Sequence, residues 1–168
     1  MPLECEDSVI RNIEEQVRAA IQAIGLDNCA VNADLMIKDG EAYVLELTGR
    51  LGANAIPEIT TAYYGRDIHE FIVEIALGDY DNAKSFRFES DHETVVCAQM
   101  LISERDGRLK KASIDDDDCD AWFFLKEGQK VSRFRSPGDC IGQVVVTGKT
   151  MQECKDHVNR ILESLEVE

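Results

Sequence analysis

The spacing of apolar positions changes several times along the chain, and each change marks an element. Val9, Ile10, Ile13, Val17, Ala20, Ile21 and Ile24 recur at three- and four-residue intervals, and Gly25 follows them. That predicts an amphipathic helix closed by a glycine cap. Two runs of strand character come next, residues 31–37 and 42–50, joined by Lys38-Asp39-Gly40-Glu41, and they predict a hairpin. Pro57 starts a short helix, since its missing N–H costs nothing in the first turn. Asp67 caps another with Ile68, Phe71, Ile72, Ile75 and Leu77 inward. Polar residues gather at 78–90, which divides the chain into parts 1–86 and 87–168. The second part is β-rich, with strands expected at 94–102, 109–114, 121–126, 130–135 and 141–146, broken by Asp106-Gly107, Glu127-Gly128 and Pro137-Gly138-Asp139. Thr150 and Glu153 form a capping-box pattern opening a last helix, with Met151, Cys154, Val158, Ile161, Leu162 and Leu165 inward. The fold class is α+β.

The hairpin carries the chemistry. Asp34 and Glu46 stand in the middle of its two apolar strands, where a buried carboxylate is costly unless it is paired or holds a metal. Their relation depends on the turn. A two-residue turn at Asp39-Gly40 pairs Lys38 with Glu41 and sends the two acids to opposite faces. A three-residue turn with Gly40 near the left-handed region pairs Lys38 with Ala42 and sets Asp34 opposite Glu46. The second register is expected here. Thr48 follows on the same face by the period of two, and so does Arg50 if the strand stays extended. Paired carboxylates suit Mg²⁺ and a guanidinium suits phosphate or carboxylate. On spacing alone the alternative is an edge hairpin with two solvated acids, one of them ion-paired to Arg50.

Composition narrows the function. The chain has 168 residues, 44% of them hydrophobic, and a net charge of −15 that includes the run Asp115-Asp116-Asp117-Asp118. Such a charge disfavours nucleic acid or an anionic membrane as partner. The six cysteines form no Cys-x-x-Cys pair and only three histidines accompany them, so zinc is not expected. Cys29, Cys97 and Cys154 read as small core residues in a reduced, cytoplasmic protein. No secretory leader and no membrane-length apolar run is seen. A glycine-rich phosphate loop is also missing.

From Ile24 to Asp79 the chain resembles the C-terminal half of the ATP-grasp fold. The resemblance rests on Asp34, Asp39-Gly40, Glu46-Leu47-Thr48-Gly49-Arg50, Leu51-Gly52-Ala53-Asn54, Ile56-Pro57, Gly65-Arg66-Asp67-Ile68 and Ala76-Leu77-Gly78-Asp79. Residues 87–168 resemble the small antiparallel module with a C-terminal helix that closes ATP-grasp carboxylate–amine ligases, through the stretch from Gly142 to Thr150. Two departures stand out: Thr48 where the family has Asn, and Asp34 where it more often has Glu.

The resemblance implies an ATP- and Mg²⁺-dependent ligase that activates a carboxylate as an acyl phosphate for attack by an amine or similar nucleophile. Asp34, Glu46 and Thr48 would be the metal ligands, with a second metal in doubt at Thr48. Arg50 would be the catalytic cation, gripping the substrate carboxylate or the phosphoryl oxygens. Asn54 is either a donor in the nucleotide and acceptor site or an ordinary turn residue. The implied partners are a missing N-terminal ATP-grasp half, from the same gene or a split subunit, and small-molecule substrates. Self-association is left open, and the isolated chain is expected to be inactive. The competing functions are a non-catalytic metal- or ligand-binding regulatory module and an acidic protein-interaction module.

Overall fold

A computed structural model describes residue 1, residues 5–79, residue 81 and residues 93–168. In chain order its elements are α1 (Asp7–Ile24), β1 (Asn32–Lys38), β2 (Glu41–Thr48), α2 (Ile56–Tyr64), α3 (Ile68–Leu77), β3 (Val95–Leu101), β4 (Gly107–Arg108), β5 (Cys119–Phe123), β6 (Lys130–Val131), a 3₁₀ turn (Pro137–Asp139), β7 (Gly142–Gly148) and α4 (Met151–Glu163). The fold is α+β with antiparallel sheets. Two compact units form. One gathers Pro2–Ala53 and Asp67–Phe88, and the other Met1, Asn54–Arg66 and Glu89–Glu168. Thus α2 groups with the later residues, whereas the sequence boundary at 86/87 falls outside the described residues.

In the first unit α1 lies along β2, and Asn12 Oδ1 accepts the Ala42 N–H at 2.6 Å. Gly25, at φ 71°, turns its N–H back onto the Ile21 and Gln22 carbonyls, as expected of a glycine cap. One helix on a two-stranded sheet covers a single stripe, so Val9, Ile13, Val17 and Ile21 are only half-buried. Ile24, expected inward, is exposed. Asp67 caps α3 as predicted, accepting from the His69 N–H at 2.8 Å and the Glu70 N–H at 3.3 Å. Ile68 is buried, but Leu77, the last residue of that helix, is exposed rather than inward. Cys29, read as a core residue, sits exposed in the loop before β1.

The second unit has the better core. Its sheet runs in the order β3-β7-β5, all antiparallel. Alternation along β7 sorts the side chains: Val144 and Val146 join Leu101, Cys154, Val158 and Ile161 in one cluster, beneath α4. Val145, on the other face, packs with Val96, Ala55 and Tyr63 beside α2. Leu101 is fully buried, so Leu101→Ala costs about 2–5 kcal/mol by lost transfer energy and a residual cavity. The expected strand 109–114 does not form, the short β4 lying before it at Gly107–Arg108, and the expected strand 130–135 shrinks to Lys130–Val131. Leu109 bridges Val167 instead, and Arg108 exchanges both backbone bonds with Glu168 (2.7 and 3.0 Å). A Cβ on Gly107 would stand 2.2 Å from the Glu168 carbonyl oxygen, so that glycine is needed for the close approach of the C-terminus.

Thr150 caps α4, its hydroxyl accepting the Glu153 N–H at 3.1 Å, but Glu153 returns to the Lys149 N–H at 2.7 Å rather than to the cap residue. The aspartate run is not wholly solvated. Asp116 Oδ2 meets Nε2 of the buried His157 at 2.7 Å. That bond, together with the Asp118 N–H, holds the Asp116 carboxyl below its ordinary value. Among the described residues no helix is long and apolar enough to cross a membrane.

Candidate functional site

The hairpin reaches the expected pairing by a different route. Lys38 pairs with Glu41 across a two-residue turn, with Asp39 at φ 53° and Gly40 at φ 82°. Two positive φ values in succession are what a type I′ turn demands, and Asp-Gly meets that demand at low cost. This corrects the three-residue turn. Continued unchanged, the register would set Asp34 opposite Leu45. Instead it shifts between Asp34 and Leu35: Leu35 pairs with Val44, Leu45 is left over, and Asp34 pairs with Glu46. The extra residue is a β-bulge, which re-aims every side chain beyond it.

Opposed residues of an antiparallel pair share a face. One face therefore presents, in order from the turn, Lys38 with Glu41, Met36 with Tyr43, Asp34 with Glu46, and Asn32 with Thr48. The other carries Ala42, which is buried, with Leu35 and Val44 half-buried. Asp34 and Glu46 are both exposed, so the burial argued from their apolar strands does not arise. Asn32 Nδ2 donates to Asp34 Oδ1 at 3.3 Å and steadies that carboxylate. The Thr48 hydroxyl is buried and has no hydrogen-bond partner among the described residues.

Arg50 leaves the strip. Strand β2 ends at Thr48, whose carbonyl accepts the Arg50 N–H at 3.0 Å in a tight turn, so the period of two does not carry to Arg50. Its guanidinium Nη1 donates to the Leu51 carbonyl at 2.7 Å, and among the described residues it makes no ion pair with either acid. Asn54 belongs to the other compact unit, where it is exposed at φ 56° and precedes Ala55 at φ 64°. Adjacent left-handed residues without glycine are strained, and α2 begins directly after them. Sequence reasoning passed over Met36 and Tyr43, each 53% exposed beside the two acids. The Asp-Gly turn was the signal that could have found them, because a type I′ register pairs them directly.

The donor set fits Mg²⁺. That ion takes one or two carboxylates, keeps several waters and completes its shell with phosphate oxygens. Two opposed, exposed carboxylates supply the first requirement, and the Thr48 hydroxyl lies one pair further along the same face. Among the described residues no group of three or more His, Cys, Asp or Glu side chains is placed to hold a metal, so no all-protein cage competes with this arrangement.

Solved structures match the fold of the whole chain. The chain superposes over its full length on 44% of the phosphoribosylglycinamide synthetase of Anaerococcus prevotii, with a TM-score of 0.87 and 36% identity. It has the fold of the C-terminal part of an ATP-grasp ligase. The chain also matches the fold of the L-amino acid ligase of Bacillus licheniformis (TM-score 0.77, 16% identity, 99% of this chain and 42% of that one). A biotin carboxylase of Campylobacter jejuni follows at TM-score 0.64 and 14% identity, over 98% of this chain and 37% of that one. An uncharacterized protein of Sinorhizobium fredii, y4rH, is 21% identical over 98% of this chain and 35% of its own length. The chain thus spans less than half the length of each of these relatives. No family model matches it.

Proposed function

We propose that this chain is the C-terminal part of an ATP- and Mg²⁺-dependent ligase that activates a carboxylate as an acyl phosphate for attack by an amine or similar nucleophile. The observation that carries the reading is the opposition of Asp34 and Glu46 on the hairpin's exposed face within an ATP-grasp fold. Likeness to a phosphoribosylglycinamide synthetase and an L-amino acid ligase supports the carboxylate–amine class.

Asp34 and Glu46 would hold Mg²⁺, with Asn32 orienting Asp34 and Thr48 offering a third, weaker oxygen. Bound there, the ion supplies charge neutralisation for the terminal phosphates of ATP. Met36 and Tyr43 give an apolar wall beside the carboxylates. Arg50 binds the substrate carboxylate or phosphoryl oxygens with donors that Leu51 leaves free, since a guanidinium has five N–H groups and one is engaged there. Oriented donors of this kind act where charge develops. For Asn54, in the other compact unit, a donor role toward nucleotide or substrate rests on the resemblance alone. The partner is an N-terminal ATP-grasp half, on the same polypeptide or as a second subunit, and without it the chain is incomplete.

The test is Mg²⁺-dependent, carboxylate-dependent release of ADP from the chain joined to its N-terminal half, measured for the parent, Asp34→Asn and Glu46→Gln. Loss in both variants is expected. Rates equal to the parent in both would leave the regulatory-module reading in its place.

A further inference from the structure

The C-terminal unit holds a feature that the ligase reading does not use. Cys97 on β3 and Cys154 on α4 face each other beneath the last helix. Alternation on β3 turns Cys97 toward the face that α4 covers, and Cys154 belongs to the fully buried core there. The Cys97 thiol contacts Met151 Sδ at 3.3 Å, one helical turn before Cys154. The Cys154 thiol reaches the Val95 carbonyl at 3.4 Å, two residues before Cys97, and Cys97 packs against the buried cluster that holds Cys154. Gly148 makes the space, for a Cβ there would stand 3.1 Å from the Cys154 sulfur.

The other cysteines are placed differently. Cys119 is separated from Cys97 by the whole of β7, since both pair with Val146 from opposite sides. Two strand spacings, about 9.5 Å, exceed the reach of a disulfide. Cys140 is buried against the Gly142 carbonyl at 2.8 Å. Cys5 and Cys29 are exposed in the other compact unit.

We propose that Cys97 and Cys154 form a reversible intrachain disulfide when the protein meets a hydroperoxide. The two thiols divide the work. Cys97 is partly exposed and is the sulfur a small oxidant reaches, whereas Cys154 is fully buried. Burial, and then the neighbouring Cys97, push the Cys154 thiol up to about 11, so it stays protonated while Cys97 reacts. Cys97 sulfur attacks one peroxide oxygen and the O–O bond breaks. The departing oxygen takes the Cys97 proton, leaving a sulfenic acid and one water or alcohol. Cys154 sulfur then attacks the Cys97 sulfur, the S–O bond breaks, and hydroxide leaves with the Cys154 proton as water. Two thiols lose two electrons and the peroxide gains them. The product ties α4 to β3.

The experiment uses the full chain with Cys5→Ser and Cys29→Ser, which removes the exposed thiols. It is treated with hydrogen peroxide, alkylated under denaturing conditions and mapped without reduction. The expected result is a cross-linked peptide pair containing Cys97 and Cys154, a mass about 2 Da lower, and return of both thiols with dithiothreitol. The oxidised form should melt about 5 °C or more above the reduced form, because the bond restricts the unfolded chain. A second variant, Cys154→Ala, removes the resolving thiol and should leave a Cys97 sulfenic acid that dimedone traps. Over-oxidation of Cys97 in the parent while Cys154 remains alkylatable would overturn the proposal, and so would a bridge to any other cysteine.

Discussion

Glu46 and Thr48 sit two residues apart on one face, yet substitution should affect them very differently. A carboxylate on Mg²⁺ contributes charge that water cannot replace, whereas a hydroxyl ligand can be replaced by a metal-bound water. In the complete enzyme Glu46→Ala should lower Mg²⁺-dependent product formation on the order of 10² or more, as for loss of one strong electrostatic stabiliser. Thr48→Ala should keep most of the rate, and Thr48→Asn should change metal preference while retaining activity. Steady-state rates with Mg²⁺ and Mn²⁺ for the three variants decide it, and equal rates throughout would exclude a catalytic strip. The second prediction at this scale concerns Asp116, which His157 and the Asp118 N–H hold below its ordinary carboxylate range. A lowered folded value means that the stabilisation is present above the unfolded pKa, about 3.9, and is lost as pH falls through the folded value. Asp116→Asn should therefore lower Tm at neutral pH, with the gap from the parent closing below about pH 4. A gap that stays constant down to pH 2 would show that the bond's charge plays no part.

At the scale of elements, the hairpin explains what the sequence could and could not reveal. Its existence and its two acids were legible, because the acids, Asp39-Gly40 and the apolar runs are local signals, whereas their common face was expected from a turn the protein does not make. The turn type was not legible. Placing Asp34 opposite Glu46 through a three-residue turn assumed a uniform register, and the protein reaches the same pairing with a two-residue turn and a bulge at Leu45. A bulge has no residue signature of its own here, since Leu45 looks like any other strand residue. Arg50 was misplaced for a related reason: a tight turn after Thr48 ends the strand, and nothing in Thr-Gly-Arg announces it. The expectation that Cys29 and Ile24 lie inward failed because α1 on two strands covers only a single stripe, and Leu77, the last residue of α3, is exposed as well. α4 was read well, its stripe and Thr150 cap both surviving, since a long periodic helix on a sheet leaves few alternatives. The turn offers the check. Gly40→Val forces a branched side chain into the left-handed region and should destabilise the unit by about 1–2 kcal/mol in urea unfolding. Asp39→Asn, which tolerates that region equally well, should be close to neutral. Similar losses in both would mean that the turn is not type I′.

For the whole molecule, charge and exposed surface bear on the same point. A net charge of −15 repels a polyphosphate, and two carboxylates cannot hold ATP without cations from elsewhere. Met36, Tyr43 and Leu45 leave apolar surface exposed on the same hairpin as the acids. On the proposed reading, this exposed apolar surface is one wall of a nucleotide cleft whose opposite wall the N-terminal half supplies. If the chain is one wall of that cleft, the purified chain should release no ADP from ATP. Joining it to the N-terminal half should both restore turnover and protect Met36 from peroxide oxidation, read as sulfoxide in a peptide map. Met36→Lys separates the two effects: it places a long charged side chain on the apolar strip without touching Asp34 or Glu46. It should raise the KM for ATP in the joined protein while leaving the melting temperature of the isolated chain unchanged. Steady Mg²⁺-dependent ADP release by the isolated chain, abolished by Glu46→Ala, would instead mean that this hairpin gathers a complete nucleotide site on its own.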